Sequence, residues 1–299
     1  MLPAKKRPFR PSRLAERRRK AFFLWAGSAV ACSLALAGLL AWASGLPEVV
    51  VGTIRVEGSA MVSEDDIRER VEGSLTGRYA GLFARANIFL VSPGRIESDL
   101  LGAFKEFKTV SVSRESLDAL AVKVEERKPY YLWCEKIPVR EAAPESAEDR
   151  AHGGCYFLDL EGLIFTPAPE FSGTVYFEFY GPSGSIPGSP EEPSGDGPAG
   201  RMYLPGGEFD RVIMFKNSLR DVGLNPYAFV TDGTNEYEFL LPGGGKIMFR
   251  RGQDFDVLFD NLTATLDTEL FKKREKKGGY PSLEYIDMRF PDKVYYRFH

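Results

Sequence analysis

Hydrophobic positions between residues 21 and 47 are continuous rather than periodic. Residues 21–47 carry no charge, and Phe22, Phe23, Leu24, Trp25, Leu34, Leu36, Leu39 and Leu40 fall on every side of a helical wheel. As a helix, residues 21–42 would rise about 33 Å, enough to cross a hydrocarbon core roughly 30 Å thick. Past residue 48 the pattern changes to alternation. In Ile54-Arg55-Val56-Glu57-Gly58 the two aliphatic residues share one face and the two charges the other, the period of a half-buried strand ended by glycine. Ser63 then precedes Glu64, Asp65 and Asp66, a cap and acidic first turn for a helix that aligns Ile67 and Val71. Ser92-Pro93 opens a second helix with Ile96, Leu100, Leu101 and Phe104 as its apolar stripe. Val110 and Val112, then Leu120, Val122 and Val124, alternate with polar residues as two further strands. The order β-α-α-β-β predicts two helices on one face of a three-stranded sheet.

Beyond Pro129 the pattern is β-rich and interrupted. Residues 130–134 and 155–160 predict strands on either side of 141–154, an acidic stretch without a core pattern that reads as a mobile loop. Residues 181–200, rich in Pro, Gly and Ser, read as a second mobile loop. Helices are expected over about 209–222, aligning Val212, Phe215 and Leu219, and over about 255–270, aligning Phe255, Leu258, Phe259, Leu262, Leu266 and Leu270. Between them residues 227–231, 236–241 and 246–250 predict a meander, and the chain closes with alternation over 283–290, a turn at Pro291-Asp292, and a last strand over 293–298.

Charge orients this scheme. The tail 1–20 holds nine Lys or Arg against Glu16, so a net −3 for the chain leaves −11 on residues 21–299. Basic residues stay on the cytoplasmic side, which puts the N-terminus inside and the acidic remainder outside. Ala41-Trp42-Ala43 also satisfies the small-x-small rule of a cleaved signal, although the apolar run is longer than the usual signal core. An acidic exterior speaks against nucleic acid as a partner. Of three cysteines, Cys32 lies in the apolar run, while Cys134 and Cys155 flank the loop 141–154. Those two would bridge adjacent strands in an oxidising exterior or stand as two small buried residues. Two histidines, His152 and His299, offer no rigid dyad, and neither a metal nor a cofactor is expected.

A basic tail and single apolar helix, a β-α-α-β-β unit, and Glu126-Arg127-Lys128-Pro129 followed by Trp133 stand in order along the chain. With them come Ile54-Arg55-Val56-Glu57-Gly58, Asn87-Ile88-Phe89-Leu90, the Asp159-Leu160-Glu161-Gly162 turn and Tyr285-Ile286-Asp287-Met288-Arg289-Phe290. In this ordered set the chain resembles the FtsQ/DivIB cell-division proteins. In the last of these stretches, Met288 and Phe290 stand where the family usually has Leu and Tyr. The implied fold class is α+β: a basic cytoplasmic tail (1–20), a transmembrane helix (21–45), a POTRA domain (48–126), and a β domain (127–299) with helices packed on an antiparallel sheet and a C-terminal edge strand.

The resemblance also implies a non-enzymatic scaffold in the cytoplasmic membrane at the division septum. Its last strands would bind an FtsB/DivIC-type protein that travels with an FtsL-type one, and its POTRA domain would meet other divisome components. A C-terminal strand tends to lie at a sheet edge, where it can accept a partner strand. Phe290, Lys293, Val294, Tyr295, Tyr296 and Arg297 are therefore the expected partner-binding residues, the two cations favouring an acidic partner. Val294 and Tyr296 share one face and are equally suited to the core. Glu126, Arg127 and Pro129 are expected to be interdomain structure. Two other readings stay open: a POTRA-type chaperone for exported polypeptides, and an anchored cell-wall binding module using Tyr176, Phe177, Phe179 and Tyr180.

Overall fold

The computed structural model describes residues 13–135, 154–171, 175–183, 197–274, 280, 282–291 and 293–299. Of the two expected mobile loops, 141–153 and 184–196 lie outside the described residues. The chain divides into two compact units, Met1–Glu125 and Glu126–His299.

The first unit begins with α1 (Arg13–Ala43). Its portion Arg17–Ala43 is long and apolar enough to cross a membrane, and Phe22, Leu24, Trp25, Leu34 and Trp42 all point outward from it. A three-stranded sheet follows, β1 (Thr53–Glu57), β5 (Ala119–Glu126) and β4 (Phe107–Arg114) in that order, with β1 parallel to β5 through Ile54↔Leu120 and Val56↔Val122. On one face lie α2 (Glu64–Leu75) and α3 (Pro93–Ala103), which bury Ile67, Val71, Leu75, Ile96 and Leu100 against Phe107, Val112, Leu120, Val122 and Val124. Ser63 caps α2, its side chain accepting the Asp65 N–H. Ser92 makes no such bond, so α3 starts on the fixed φ of Pro93 alone. Leu101 leaves the expected stripe: one residue past Leu100 it is turned about 100° round the helix and is exposed. Gly58 has φ +89°, and a Cβ there would lie 2.2 Å from the Val124 carbonyl oxygen, so β1 ends where only glycine fits. Between the helices a short hairpin, β2 (Arg78–Tyr79) and β3 (Phe83–Ala84), escaped the sequence pattern because two-residue strands have no period to read.

Among the described residues the second unit is built on nine strands: β6 (Tyr131–Cys134), β7 (Tyr156–Leu158), β8 (Ile164–Pro167), β9 (Phe177–Tyr180), β10 (Ala228–Thr231), β11 (Glu236–Leu240), β12 (Lys246–Arg250), β13 (Leu283–Phe290) and β14 (Lys293–Phe298). Their spatial order is β14-β13-β12-β11-β10-β9-β6-β7-β8. The expected antiparallel sheet is in fact mixed: β6 and β9, β9 and β10, and β12 and β13 run parallel. For the last two pairs the physical reason is the position of the helices, whereas β6 reaches β9 by way of β7 and β8. Helix α4 (Glu208–Asp221) joins β9 to β10, and α5 (Phe255–Leu266) with α6 (Glu269–Arg274) joins β12 to β13, the crossovers that parallel neighbours require.

The expected helix over 255–270 is thus two helices. Asp267 ends α5, and Leu270, at the predicted end of the stripe, is exposed. The core beneath the helices is largely aromatic: Phe209, Val212, Phe215 and Leu219 of α4 meet Phe179, Phe229, Phe239 and Phe249 of the sheet. Edge-to-face contacts such as Phe229 on Phe239 at 5.3 Å add geometric preference to this burial. On the other face of the sheet Cys134, Tyr180, Ala228 and Val230 form a smaller cluster.

Candidate partner-binding edge

The β13–β14 hairpin ends the nine-stranded sheet, and β14 has β13 as its strand neighbour there, with Ile286↔Tyr296, Asp287↔Tyr295 and Phe290↔Lys293 as partners. Alternation divides the side chains of β14 between two faces. Val294 and Phe298 pack against the main core, and the Tyr296 ring stands 4.9 Å from that of Phe271 on α6. Lys293, Tyr295 and Arg297 occupy the opposite face and are exposed. The Tyr295 ring meets Phe290 edge-on at 5.3 Å, and the two are 47% and 44% exposed, an aromatic pair held largely in solvent. Arg297 reaches Glu284 at 2.8 Å across the hairpin, a surface ion pair worth little to stability. The strand thus brings Phe290 and Tyr295 together, with Lys293 and Arg297 on the same face as Tyr295, and turns Val294 inward.

The hairpin is fixed by a charge cluster that the sequence reading did not single out. Arg289 grips the Asp287 carboxylate through Nε at 2.9 Å and Nη2 at 2.7 Å, and reaches Glu236 of β11 through Nη1. Burial pushes the Asp287 carboxyl up, but the Arg289 hydrogen bonds and charge outweigh it and hold the group below the usual carboxylate range. Gln253 donates to the Met288 carbonyl at 2.9 Å, tying β13 to the loop before α5.

At the other end of the sheet the interdomain motif finds its partner inside the second unit. Arg127 forms an ion pair with Asp159, whose side chain is 3% exposed. Asp159 Oδ1 also accepts the N–H groups of Glu161 and Leu163, and Gly162 supplies the positive φ that closes the turn. The Glu-Arg-x-Pro stretch and the Asp-x-x-Gly turn, 32 residues apart, are therefore one construction. Glu126 closes β5, and Pro129 lies in the link to β6, where Tyr130 N–H donates to Leu158 O at 2.9 Å. Cys134 and Cys155 are disulfide-bonded with Cα atoms 4.4 Å apart, extending the Trp133↔Tyr156 register of β6 and β7.

Two buried polar groups had no signal in the sequence. Glu208, at the start of α4, accepts from Tyr237 OH and from Arg251, residues 29 and 43 positions away. Lys216 of α4 has its ammonium 5.4 Å from the Tyr131 ring centre and 5.0 Å from that of Phe177, and burial, with Arg220 nearby, pushes its pKa down. Among the described residues no group of three or more His, Cys, Asp or Glu side chains is placed so that it could hold a metal ion. Of the aromatic residues in the cell-wall reading, Phe179 and Tyr180 are buried and belong to clusters on opposite faces of the sheet, so the four do not form one platform.

The architecture is that of a bitopic protein, an apolar helix carrying a POTRA fold and a β-rich unit. The model of the family described as POTRA domain, FtsQ-type, matches residues 50–127. A search of curated proteins gave no match to the chain. With its N-terminal apolar helix and FtsQ-type POTRA domain, the chain fits an FtsQ/DivIB-like bitopic protein. A POTRA domain of this type supports a membrane protein associated with the division machinery and engaged in protein–protein contacts there, and the one N-terminal apolar helix suits single-pass anchoring.

Proposed function

We propose that this protein is a membrane-anchored divisome scaffold that recruits or stabilises an FtsB/DivIC-type protein, together with its FtsL-type companion, by strand addition to β14. The observation that carries the reading is the place of β14 at the end of a nine-stranded sheet, with an exposed aromatic pair and two cations on one face. A partner strand laid along this edge would extend the main-chain ladder, Phe290 and Tyr295 would supply apolar contact, and Lys293 and Arg297 would favour an acidic segment. The N-terminal tail faces the cytoplasm and both folded units lie outside, at the septum. The basic tail supports that orientation, and the Cys134–Cys155 bridge fits an oxidising compartment. The protein performs no chemistry of its own, and its POTRA domain meets further division components.

The test is a titration of the full chain in lipid nanodiscs with the extracytoplasmic segment of the cognate FtsB/DivIC-type protein. Replacing both Lys293 and Arg297 by Glu is expected to weaken binding about tenfold or more, roughly 1.4 kcal/mol, with the fold intact. Removing residues 291–299 is expected to abolish binding. A truncated protein that binds as tightly as the full chain would overturn the strand-addition reading.

A further inference from the structure

The segment 77–90 contains the Asn87-Ile88-Phe89-Leu90 motif, to which the proposed function assigns no role. It is tied to the end of the spanning helix. Asn87, itself buried, donates from Nδ2 to the Ser44 carbonyl at 2.9 Å, and Ala84 N–H donates to Ser44 Oγ at 3.2 Å. Val51 N–H donates to Ala86 O, and Ile88 N–H to Val49 O, so the segment runs beside the chain that leaves α1. The turn between β4 and β5 lies at the same end, because Gly52 and Thr53 both donate to the Asp118 carbonyl.

A helix rising 1.5 Å per residue crosses a hydrocarbon core of about 30 Å roughly 20 residues after Lys20. Ser44 then falls in the adjoining headgroup layer, next to Trp42, a residue suited to that interface. At this same end of the POTRA domain stand Leu82, Phe89, Leu90 and Leu117, which are 52%, 66%, 40% and 57% exposed. The same segment carries Arg78, exposed, and Arg85, half-buried with its guanidinium 5.3 Å from the centre of the Tyr79 ring. Apolar side chains that stay in water elsewhere on the domain have no such placement. Met61, also exposed, follows the far end of β1, about 17 Å away along a five-residue strand.

We infer that this end of the POTRA domain is a membrane-contacting surface: Leu82, Phe89, Leu90 and Leu117 enter the lipid leaflet at the C-terminal end of α1, and Arg78 and Arg85 meet its phosphates. The occupant is lipid rather than a protein because the patch is continuous with a helix whose own apolar surface requires lipid, and because hydrogen bonds from Ala84 and Asn87 hold it at the depth of Ser44. Long cationic side chains beside apolar ones suit that layer. Its consequence is a POTRA domain fixed in height and tilt over the bilayer rather than swinging on a tether. The inference rests on α1 spanning the membrane.

The full chain, reconstituted in vesicles of phosphatidylethanolamine and phosphatidylglycerol, provides the test. A nitrobenzoxadiazole label on Cys32, the free cysteine in α1, reports insertion of the helix through quenching by lipids with a nitroxide deep in the acyl chain. In a Cys32→Ala background the label is then moved to Leu82→Cys, Phe89→Cys or, as a reference, Met61→Cys, and quenched by lipids with the nitroxide near the headgroup. All three sites are exposed, so the fold tolerates them, which circular dichroism checks. Quenching at 82 and 89 several-fold greater than at 61 is expected. Equal quenching at the three positions, with Cys32 strongly quenched, would overturn the inference while leaving the spanning helix intact. A blue-shifted label at 89 without quenching would also overturn it, since a protein surface would then cover the patch. An unquenched Cys32 would remove the spanning helix and the inference with it.

Discussion

The two ends of the nine-stranded sheet are built differently. At the β8 end, the segment after residue 196 lies along the strand: Gly200 N–H donates to Ile164 O at 2.7 Å, Ile164 N–H to Arg201 O at 2.9 Å, and Leu163 bridges Met202. A disulfide and a buried ion pair at Asp159 staple the strands next to it. The β14 end has a hairpin, an exposed ion pair to Glu284 and an exposed aromatic pair, and among the described residues no strand on its outer side. An open edge is a liability in a soluble protein and is usually covered or charged. One end is covered; the other carries the exposed cations Lys293 and Arg297, which discourage self-pairing. The difference is the one that the proposed strand addition requires, a sheet closed at one end and open to a further strand at the other.

The largest effect is expected from Arg127→Ala. It leaves the Asp159 carboxylate buried without its cation, and about 3–5 kcal/mol of stability of the second unit should be lost in chemical unfolding. A loss below about 1 kcal/mol would mean that the β8 end is not held by this pair. Replacing Cys134 and Cys155 together by Ser is expected to cost about 3 kcal/mol, from the 21-residue separation that the bridge closes. Because the bridge lies at the covered end, partner affinity should stay within about twofold, roughly 0.4 kcal/mol; a large loss of binding would erase the contrast between the ends.

At the open end, the depressed carboxyl of Asp287 makes the hairpin sensitive to acid. A group with a folded pKa below its unfolded value contributes stability above the unfolded value and loses it as pH falls through the folded one. Stability of the native chain should therefore drop more steeply on acidification through and below the ordinary aspartate range than that of Asp287→Asn, and parallel pH curves would contradict this. The smallest effect on stability is expected from Tyr295→Ala, under about 0.5 kcal/mol, accompanied by a partner affinity about tenfold weaker. A Tyr295→Ala protein with unchanged affinity would move the contact off this face.

How far the sequence carried each region follows the range of the interactions. The Ser63 cap, the alternation of β1, β4 and β5, and the α4 stripe of Val212, Phe215 and Leu219 are local patterns and were readable. The parallel pairings were not, since a crossover is decided by which strands the helices join rather than by any strand's own period. Nor were the pairings of Arg127 with Asp159 or of Glu208 with Tyr237 and Arg251, although each partner in the first pair sat in a motif that had been singled out. At the candidate edge, the sequence left Val294 and Tyr296 between core and contact. The structure divides them by degree, Val294 packing on the core while Tyr296, over Phe271, keeps 38% of its surface exposed.

The central claim is that β14 offers its main chain to a partner strand, and amide hydrogen exchange reads that directly. With the extracytoplasmic segment of the FtsB/DivIC-type protein bound to the full chain in nanodiscs, exchange of backbone amides within 293–298 is expected to slow about tenfold or more, with little change along β8. Unchanged exchange in β14 at saturating partner would contradict strand addition and place the contact elsewhere on the protein.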